Sequence, residues 1–92
     1  MIKSFADKET EQFYASGKSR RFTSISQTAL EKLDYLDSAV KLEDLKVPPG
    51  NRLEKLKGGY KGKWSIRIND QYRIVFEWRG SDAYDVEITD YH

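Results

Sequence analysis

The sequence predicts an α+β fold in which two N-terminal helices pack on a mainly antiparallel β-sheet. Apolar residues recur at helical spacing in residues 23–40, whereas they alternate with polar residues in residues 64–78 and again in residues 83–92. The helical stripe is expected to pack on the sheet. Ninety-two residues suffice for one modest core and not for two, so we expect a single domain spanning residues 1–92.

The composition is that of a globular protein, with 38% hydrophobic and 34% charged residues. The chain has no cysteine, which excludes disulfides and thiolate chemistry. No apolar run approaches the roughly 20 residues needed to cross a bilayer, so we expect a cytoplasmic protein that does not contact a membrane. The single histidine, His92, cannot form a histidine cluster, and no carboxylate spacing is typical of a metal loop. We therefore predict that any catalysis needs neither a metal nor another cofactor.

The first elements of the chain follow from local signals. Residues 1–5 are predicted to form a first or edge strand. Asp7 is the candidate N-cap of a short first helix, which Ser16-Gly17 should end. The basic run at residues 18–21 is interpreted as a solvated connecting loop.

The second helix is the longest helical pattern and begins at Thr23 or Ser24. Leu42 and Leu45 are then expected to cover an edge of the core, and the Pro-Pro-Gly run at residues 48–50 ends any helix. The apolar stripe of the helix consists of Ile25, Ala29, Leu33, Leu36 and Val40, with Leu30 and Ala39 beside it.

Three strands follow a short one predicted at residues 52–56, and two of the three form a hairpin. Their apolar residues face one core only if Ile68 lies opposite Tyr72, which makes the loop Asn69-Asp70-Gln71. The apolar sets in question are Trp64, Ile66 and Ile68 on one strand and Tyr72, Ile74, Phe76 and Trp78 on the other, all interpreted as core residues. The last strand, residues 83–92, is predicted to place Tyr84, Val86 and Ile88 on one face and Asp85, Glu87 and Thr89 on the other.

The hairpin register places two arginines, Arg67 and Arg73, directly across from each other. Like charges in this arrangement cost up to about 1 kcal/mol unless they are neutralised. Candidates for this neutralisation are the carboxylates of Glu54, Glu77 or Glu87, or a bound phosphate, which an arginine fork matches well.

Positive charge is concentrated in residues 52–73, where seven basic side chains stand against two acidic ones, although the whole chain carries only +1. Such segregation indicates a surface for a polyanion. A regular strand would separate Glu54 from Lys57, so a bend at Gly58-Gly59 is needed to bring them to one site. The basic residues are Arg52, Lys55, Lys57, Lys61, Lys63, Arg67 and Arg73, and the acidic ones are Glu54 and Asp70.

Several pieces of the chain, taken in order, resemble the HigB branch of the RelE-like bacterial type II toxins. The pieces are MIKSF, LDSA, RLEKLKGGYKGKWSIRINDQYRIVFEW and DAYDVEITDYH, which together cover nearly the whole chain. The resemblance implies a compact RelE-like domain and an endoribonuclease that cuts messenger RNA in the ribosomal A site. It also implies neutralisation by a HigA-like helix-turn-helix antitoxin, in an assembly of two toxins with two antitoxins that contacts DNA only through the antitoxin.

Carried over by position, the resemblance assigns functional roles to Lys57, Arg73, Asp90, Tyr91 and His92. The chain departs from the family at one position, because many HigB relatives have a histidine where it has Glu54.

Metal-free RNA cleavage needs a base for the ribose 2'-OH, cations for the developing phosphorane and an acid for the leaving 5'-oxygen. Candidate bases are Glu54 and His92, and candidate acids are His92 and Tyr91, although Tyr91 is equally suited to stacking on a base. Arg73, with Lys57 and Arg67, is the candidate phosphate clamp. Further RNA-binding candidates are Arg52, Lys55, Lys61, Lys63 and Asp90.

A second class of function stays open at this point. The missing family histidine and the single imidazole favour a non-catalytic module that binds RNA or the ribosome and blocks translation. Glu54 is then no more than a surface ion pair, worth under about 1 kcal/mol.

Overall fold

The computed structural model describes residues 1–90, so the predictions for Tyr91 and His92 lie outside the described residues. Two helices precede a four-stranded sheet in this part of the chain, with strand order β1-β2-β3-β4 and every neighbouring pair antiparallel. The predicted α+β class is therefore confirmed. The elements are α1 (Lys8–Ser16), α2 (Ser26–Ser38), β1 (Glu54–Lys55), β2 (Trp64–Arg67), β3 (Tyr72–Arg79) and β4 (Asp82–Asp90). No helix of residues 1–90 is long and apolar enough to cross a membrane.

The boundaries of α1 follow the predicted signals. The backbone N–H of Thr10 donates to a side-chain oxygen of Asp7 at 3.4 Å, which caps the helix N-terminus. Gly17 ends the helix in the left-handed conformation, φ 74°, and its N–H donates to the carbonyl of Phe13 at 2.7 Å. The predicted edge strand at residues 1–5 consists of isolated parallel bridges along β4, from Ile2 and Phe5.

The second helix begins later than predicted. The hydroxyl of Thr23 donates to the carbonyl of Ser19 at 2.8 Å instead of capping a helix, and residues Thr23–Ile25 form a 3₁₀ turn before α2. The predicted stripe is buried from Ile25 to Leu36. The inclusion of Val40 was wrong, because α2 ends at Ser38, the chain turns away in an extended conformation, and Val40 is 62% exposed.

The hairpin has the predicted register. Ile66 pairs with Ile74 and Arg67 with Arg73, while the N–H of Ile68 donates to the carbonyl of Tyr72 at 3.0 Å. The side chain of Asn69 stabilises the loop, because its oxygen accepts the backbone N–H of Tyr72 at 2.7 Å.

Strand β1 is shorter than the predicted residues 52–56. Arg52 has a left-handed backbone, φ 45°, and so cannot pair as a strand residue. One ladder bond extends past the strand, from the N–H of Leu56 to the carbonyl of Lys63 at 2.9 Å.

Strand β4 contains a β-bulge at Asp85, φ 52°. Val75 pairs with Glu87, but Glu77 pairs with Tyr84, so one extra residue of β4 lies between the two pairs. The prediction that Tyr84 shares a face with Val86 and Ile88 was therefore wrong. Ala83 takes its place against the core and is fully buried, while the guanidinium of Arg79 lies 4.2 Å from the centre of the Tyr84 ring.

The sheet has two unlike faces. One packs on the helices and contributes Ile66, Ile74 and Phe76 to the main core. The other, called here the second face, carries the alternate residues of the strands. Val75 on this face is fully buried, although it does not belong to the main core. Trp64, Tyr72 and Trp78 are partly buried against the main core, as predicted for packing residues.

Candidate active site

Arg73 is the centre of a charged cluster on the second face. Its side chain is only 11% exposed, and oxygens of three residues within the described part of the chain contact the guanidinium. Nε donates to the hydroxyl of Ser65 at 2.8 Å, and Nη2 donates to the carbonyl of Arg52 at 2.7 Å and lies 3.3 Å from a carboxylate oxygen of Glu54. These four residues form what we call the Arg73 cluster. These contacts fix the orientation of the guanidinium plane. A planar fork of N–H donors is what makes arginine suited to binding phosphate.

The strand register explains the meeting of these side chains. Glu54 pairs with Ser65, and Ser65 pairs with Val75, so all three point to the second face. Arg73, two residues before Val75, shares that face. Ser65 is fully buried, so its hydroxyl needs a partner, and the Arg73 side chain supplies one.

The backbone of Arg52 is held in place by a buried polar network. Asn51, fully buried, donates from its side-chain amide to the carbonyl of Leu45 at 3.2 Å and accepts a hydrogen bond from the ammonium of Lys32 on α2. The chain then turns through the left-handed Arg52, whose carbonyl faces Arg73. A strained backbone of this kind persists only where its surroundings determine it, and such positions are common at functional sites.

The two facing arginines are neutralised by separate carboxylates. Of the alternatives that the sequence left open, Glu54 contacts Arg73. Arg67 instead forms an ion pair with Asp70, a carboxylate that was not among the predicted partners. The signal was available, since Asp70 follows Arg67 by three residues in the predicted hairpin loop.

The predicted lysines do not all lie on the face of Arg73. Lys55 occupies the opposite face of β1, where its ammonium lies 5.9 Å from the centre of the Trp64 ring. Lys57 lies two residues after the end of β1 and immediately precedes a 3₁₀ turn at Gly58–Tyr60. Lys63 has the parity of Ser65 and is partly buried, whereas Lys61 is exposed.

Asp90 ends the described part of the chain, opposite Tyr72 in the register of β3 and β4. Its carboxylate accepts a hydrogen bond from the side-chain amide of Gln71 at 3.1 Å. The predicted RNA-binding residue Asp90 is therefore tied to the hairpin loop, one residue from Arg73 along the ladder.

Glu87 is a titratable group on the second face that the predicted site did not include. It pairs with Val75, and burial raises the pKa of its carboxyl above the ordinary value. The positive charge of Lys63 opposes this rise and also lowers the pKa of Glu77, which is held down mainly by a hydrogen bond from Arg79. Alternation along β4 already placed Glu87 on this face, but the sequence could not show its burial.

The described part of the chain offers no set of side chains that could bind a metal ion. Residues 1–90 hold no cluster of three or more histidine, cysteine, aspartate or glutamate side chains placed to bind an ion.

Comparisons with known proteins agree with the sequence resemblance. The profile of a family described as the RelE-like toxin of type II toxin-antitoxin system HigB matches residues 3–92. Toxin HigB-1 of Vibrio cholerae is 48% identical over 80 residues, which cover 85% of this chain and 84% of that protein. Endoribonuclease HigB of Proteus vulgaris is 30% identical over 93 residues, which cover all of both chains.

Solved structures of low sequence identity share the fold. A chain of the YoeB-YefM complex from Staphylococcus aureus superposes with a TM-score of 0.63 at 18% identity, and the match covers 100% of this chain and 98% of that one. YafQ from E. coli gives a TM-score of 0.60 at 14% identity, with coverages of 98% of this chain and 91% of that one. The predicted RelE-like fold is thereby confirmed, and with the family match the chain belongs to the HigB family of RelE-like toxins of type II toxin-antitoxin systems.

Proposed function

We propose that this chain is a ribosome-dependent endoribonuclease that cleaves messenger RNA in the A site by a metal-independent attack of the ribose 2'-OH. The observation that carries the proposal is the Arg73 cluster, in which a nearly buried guanidinium is fixed by Ser65, Arg52 and Glu54. A fixed cation stabilises charge that develops in a transition state without reorganising at the moment of reaction. The name of the Proteus vulgaris relative, an endoribonuclease, supports the reaction class.

The reaction divides among three groups of residues. A base, Glu54 or His92, takes the proton of the 2'-OH, and the freed oxygen attacks phosphorus. Arg73, with Lys57 and Arg67, holds the phosphate oxygens as negative charge develops. An acid, His92 or Tyr91, protonates the leaving 5'-oxygen, so the products are a 2',3'-cyclic phosphate and a 5'-OH end.

Glu54 has a double role in this scheme. Before RNA binds, its carboxylate neutralises Arg73. The incoming phosphate replaces it as the partner of the guanidinium, because both are oxyanions that compete for the same donors. The side chain of Glu54 is 58% exposed and so has room to turn towards the ribose. A histidine at position 54, as in many HigB relatives, has no carboxylate and could not form this ion pair with Arg73.

The partner of the toxin is a HigA-like helix-turn-helix antitoxin, in a heterotetramer of two toxins and two antitoxins in the cytoplasm. DNA is contacted only through the antitoxin. A structural neighbour described as a heterotetrameric YoeB-YefM toxin-antitoxin complex from Staphylococcus aureus supports this kind of partner. The Arg73 cluster and the other basic residues of the segment 52–73 contact the messenger RNA on the bacterial ribosome.

The test is to incubate the purified protein with translating bacterial ribosomes on a defined message and to map RNA ends by primer extension. We expect new in-frame cuts at the A-site codon, absent with naked RNA and absent with Arg73→Ala. No metal is added beyond what the ribosome requires. Intact message with stalled translation would overturn the nuclease in favour of a module that blocks the ribosome.

A further inference from the structure

A hollow of about 320 Å³ opens at the end of β1, beside the Arg73 cluster. Its size falls near the lower end of the range for small-molecule pockets, about 300–1,000 Å³. The backbone between β1 and β2 shapes it, and none of its lining residues within the described part of the chain is acidic. The lining residues are Lys55, Leu56, Lys57, Gly58, Lys61 and Gly62.

The loop that encloses the hollow has a defined shape. The N–H of Lys61 donates to the carbonyl of Gly58 at 3.0 Å, and the N–H of Lys63 donates to the carbonyl of Tyr60 at 2.9 Å. Gly58 and Gly62 both have left-handed backbones, φ 67° and 90°, which close the turn in a way that other residues rarely adopt. The lysine side chains therefore surround a backbone that is already folded.

Leu56 is the apolar side chain among the residues that line the hollow. Leu56 is only 5% exposed and, by strand alternation, points to the same face as Glu54 and Arg73. A strand rises about 3.3 Å per residue, so Leu56 lies on the order of 7 Å along the chain from Glu54. The hollow thus combines a small apolar surface with cationic groups, next to the proposed site of cleavage.

We propose that this hollow binds a nucleotide of the RNA strand adjacent to the scissile phosphate. The base lies in the hollow beside Leu56, and the phosphate lies between the ammonium groups of Lys57 and Lys61, whereas Lys55 directs its ammonium to the Trp64 ring on the other face of β1. Sites for single-stranded nucleic acid commonly pair a positively charged groove with aromatic side chains on which bases stack. Here the hollow supplies the cationic groups, and the apolar Leu56 takes the place of the aromatic side chain. The inference rests on the proposed function, because it takes the RNA strand to pass over Arg73.

The test uses the whole chain and an uncleavable probe, a 2'-O-methyl trinucleotide, titrated into isotopically labelled protein at several salt concentrations. We expect saturable shifts of the backbone amides of Leu56, Gly58 and Gly62. Each lysine that neutralises a phosphate contributes about 0.7 to the slope of log affinity against log salt for a single strand. Lys61→Gln should therefore lower that slope by about 0.7 and weaken binding about five-fold at 0.1 M salt.

The matched control is Lys3→Gln, the same change at an exposed lysine beside the far edge of β4, which should leave the salt slope and the affinity unchanged.

Two further probes distinguish binding of a nucleotide from binding of phosphate or of negative charge in general. Inorganic phosphate should shift the lysine loop without shifting Leu56, and an acidic peptide of equal charge should bind more weakly than the trinucleotide. Equal shifts of Leu56 with phosphate alone, equal affinity for the peptide, or an unchanged slope in Lys61→Gln would each overturn the nucleotide site.

Different results would overturn the proposed active site and the proposed nucleotide-binding hollow. Ribosomal cleavage that survives Arg73→Ala would overturn the assigned active site, whatever the trinucleotide does. Loss of cleavage in Arg73→Ala, together with no response of the hollow to the trinucleotide, would overturn the hollow and leave the active site standing.

Discussion

The Arg73 cluster and the hollow at the end of β1 both present positive charge, but they hold it in opposite ways. The guanidinium of Arg73 is nearly buried and is fixed by contacts that include oxygens of Ser65, Arg52 and Glu54. Lys57 and Lys61 of the hollow are exposed, and backbone hydrogen bonds hold the loop beneath them. A fixed charge suits a developing transition state, whereas mobile ammonium groups suit a strand whose position varies. Under the proposed function, we therefore expect the cleavage rate to depend on the first region and the affinity for RNA on the second.

The sharpest test of this contrast is to change the shape of the fixed charge. Arg73→Ala should lower the rate of ribosomal cleavage by about 10²- to 10³-fold, the typical cost of losing one preorganised donor. Arg73→Lys should recover little of this loss, because an ammonium lacks the planar fork. Single-turnover cleavage on programmed ribosomes measures both. Arg79→Ala, an exposed arginine at the other end of β3, is the control and should retain full activity. Full activity in Arg73→Lys would show that charge alone suffices.

The network beneath the cluster should matter for stability. Asn51→Ala leaves the ammonium of Lys32 and the carbonyl of Leu45 without their buried partner, at a cost of about 1–3 kcal/mol. Thermal unfolding should then shift down by about 4–8 °C for each kcal/mol. The double variant Lys32→Met with Asn51→Leu should recover part of the loss, since replacing both partners can be nearly neutral. An unchanged melting temperature in Asn51→Ala would contradict the network.

A smaller effect should come from the hydroxyl that orients Arg73. Ser65→Ala removes the acceptor of Nε, and we expect a fall of about ten-fold in the cleavage rate, equivalent to about 1.4 kcal/mol. The fall should appear in kcat rather than KM, because the charge remains and only its orientation is lost. Thr89→Val, which removes a hydroxyl directly across from Arg73 on β4, is the matched control. Equal losses in both variants would reduce Ser65 to ordinary packing.

The smallest expected effect concerns pH. Burial raises the pKa of Glu87, so folding costs free energy once this carboxyl ionises, and the cost grows as pH rises through the unfolded and then the folded pKa. Glu87→Gln should therefore raise the melting temperature at pH 7, and the gain should vanish below the unfolded pKa.

Asp44 gives the opposite sign and serves as the control. Backbone N–H groups of Lys41 and Val40 lower its pKa, so its contribution to stability is present above the unfolded pKa and is lost as pH falls through the folded pKa. Asp44→Asn should lower the melting temperature at pH 7 and not at low pH. Parallel pH profiles for the two variants would contradict both assignments.

Local signals and alternation were enough to predict the frame of the site. Asp7 and Gly17 bounded α1, and the parity of the apolar residues fixed Arg67 opposite Arg73. Alternation also limited the partners of Arg73 to a few carboxylates, of which Glu54 is the one in contact. These features depend on neighbours in sequence or on a single strand pair.

The features that the sequence did not reveal depend on contacts between distant segments. The left-handed Arg52 comes directly after Asn51, whose side chain is held by Lys32, 19 residues earlier in the chain. The left-handed residue of the bulge is Asp85 rather than a glycine, so the sequence contains no glycine that would indicate a bulge there. The burial of Ser65 could not be predicted from its own strand, because it depends on how the neighbouring strands pack around it. Periodicity assumes regular elements, so it fails where tertiary contacts impose an irregular one.

The bulge in β4 divides that strand into two stretches with opposite tolerance to substitution. From residue 86 onward the even-numbered positions Val86 and Ile88 are buried, whereas before the bulge the odd-numbered Ala83 is. A scan of polar substitutions along β4 should therefore change phase at Asp85, with Ala83, Val86 and Ile88 sensitive and Tyr84 permissive. A deletion at position 85 would remove this offset and force one end of the strand to turn its side chains over.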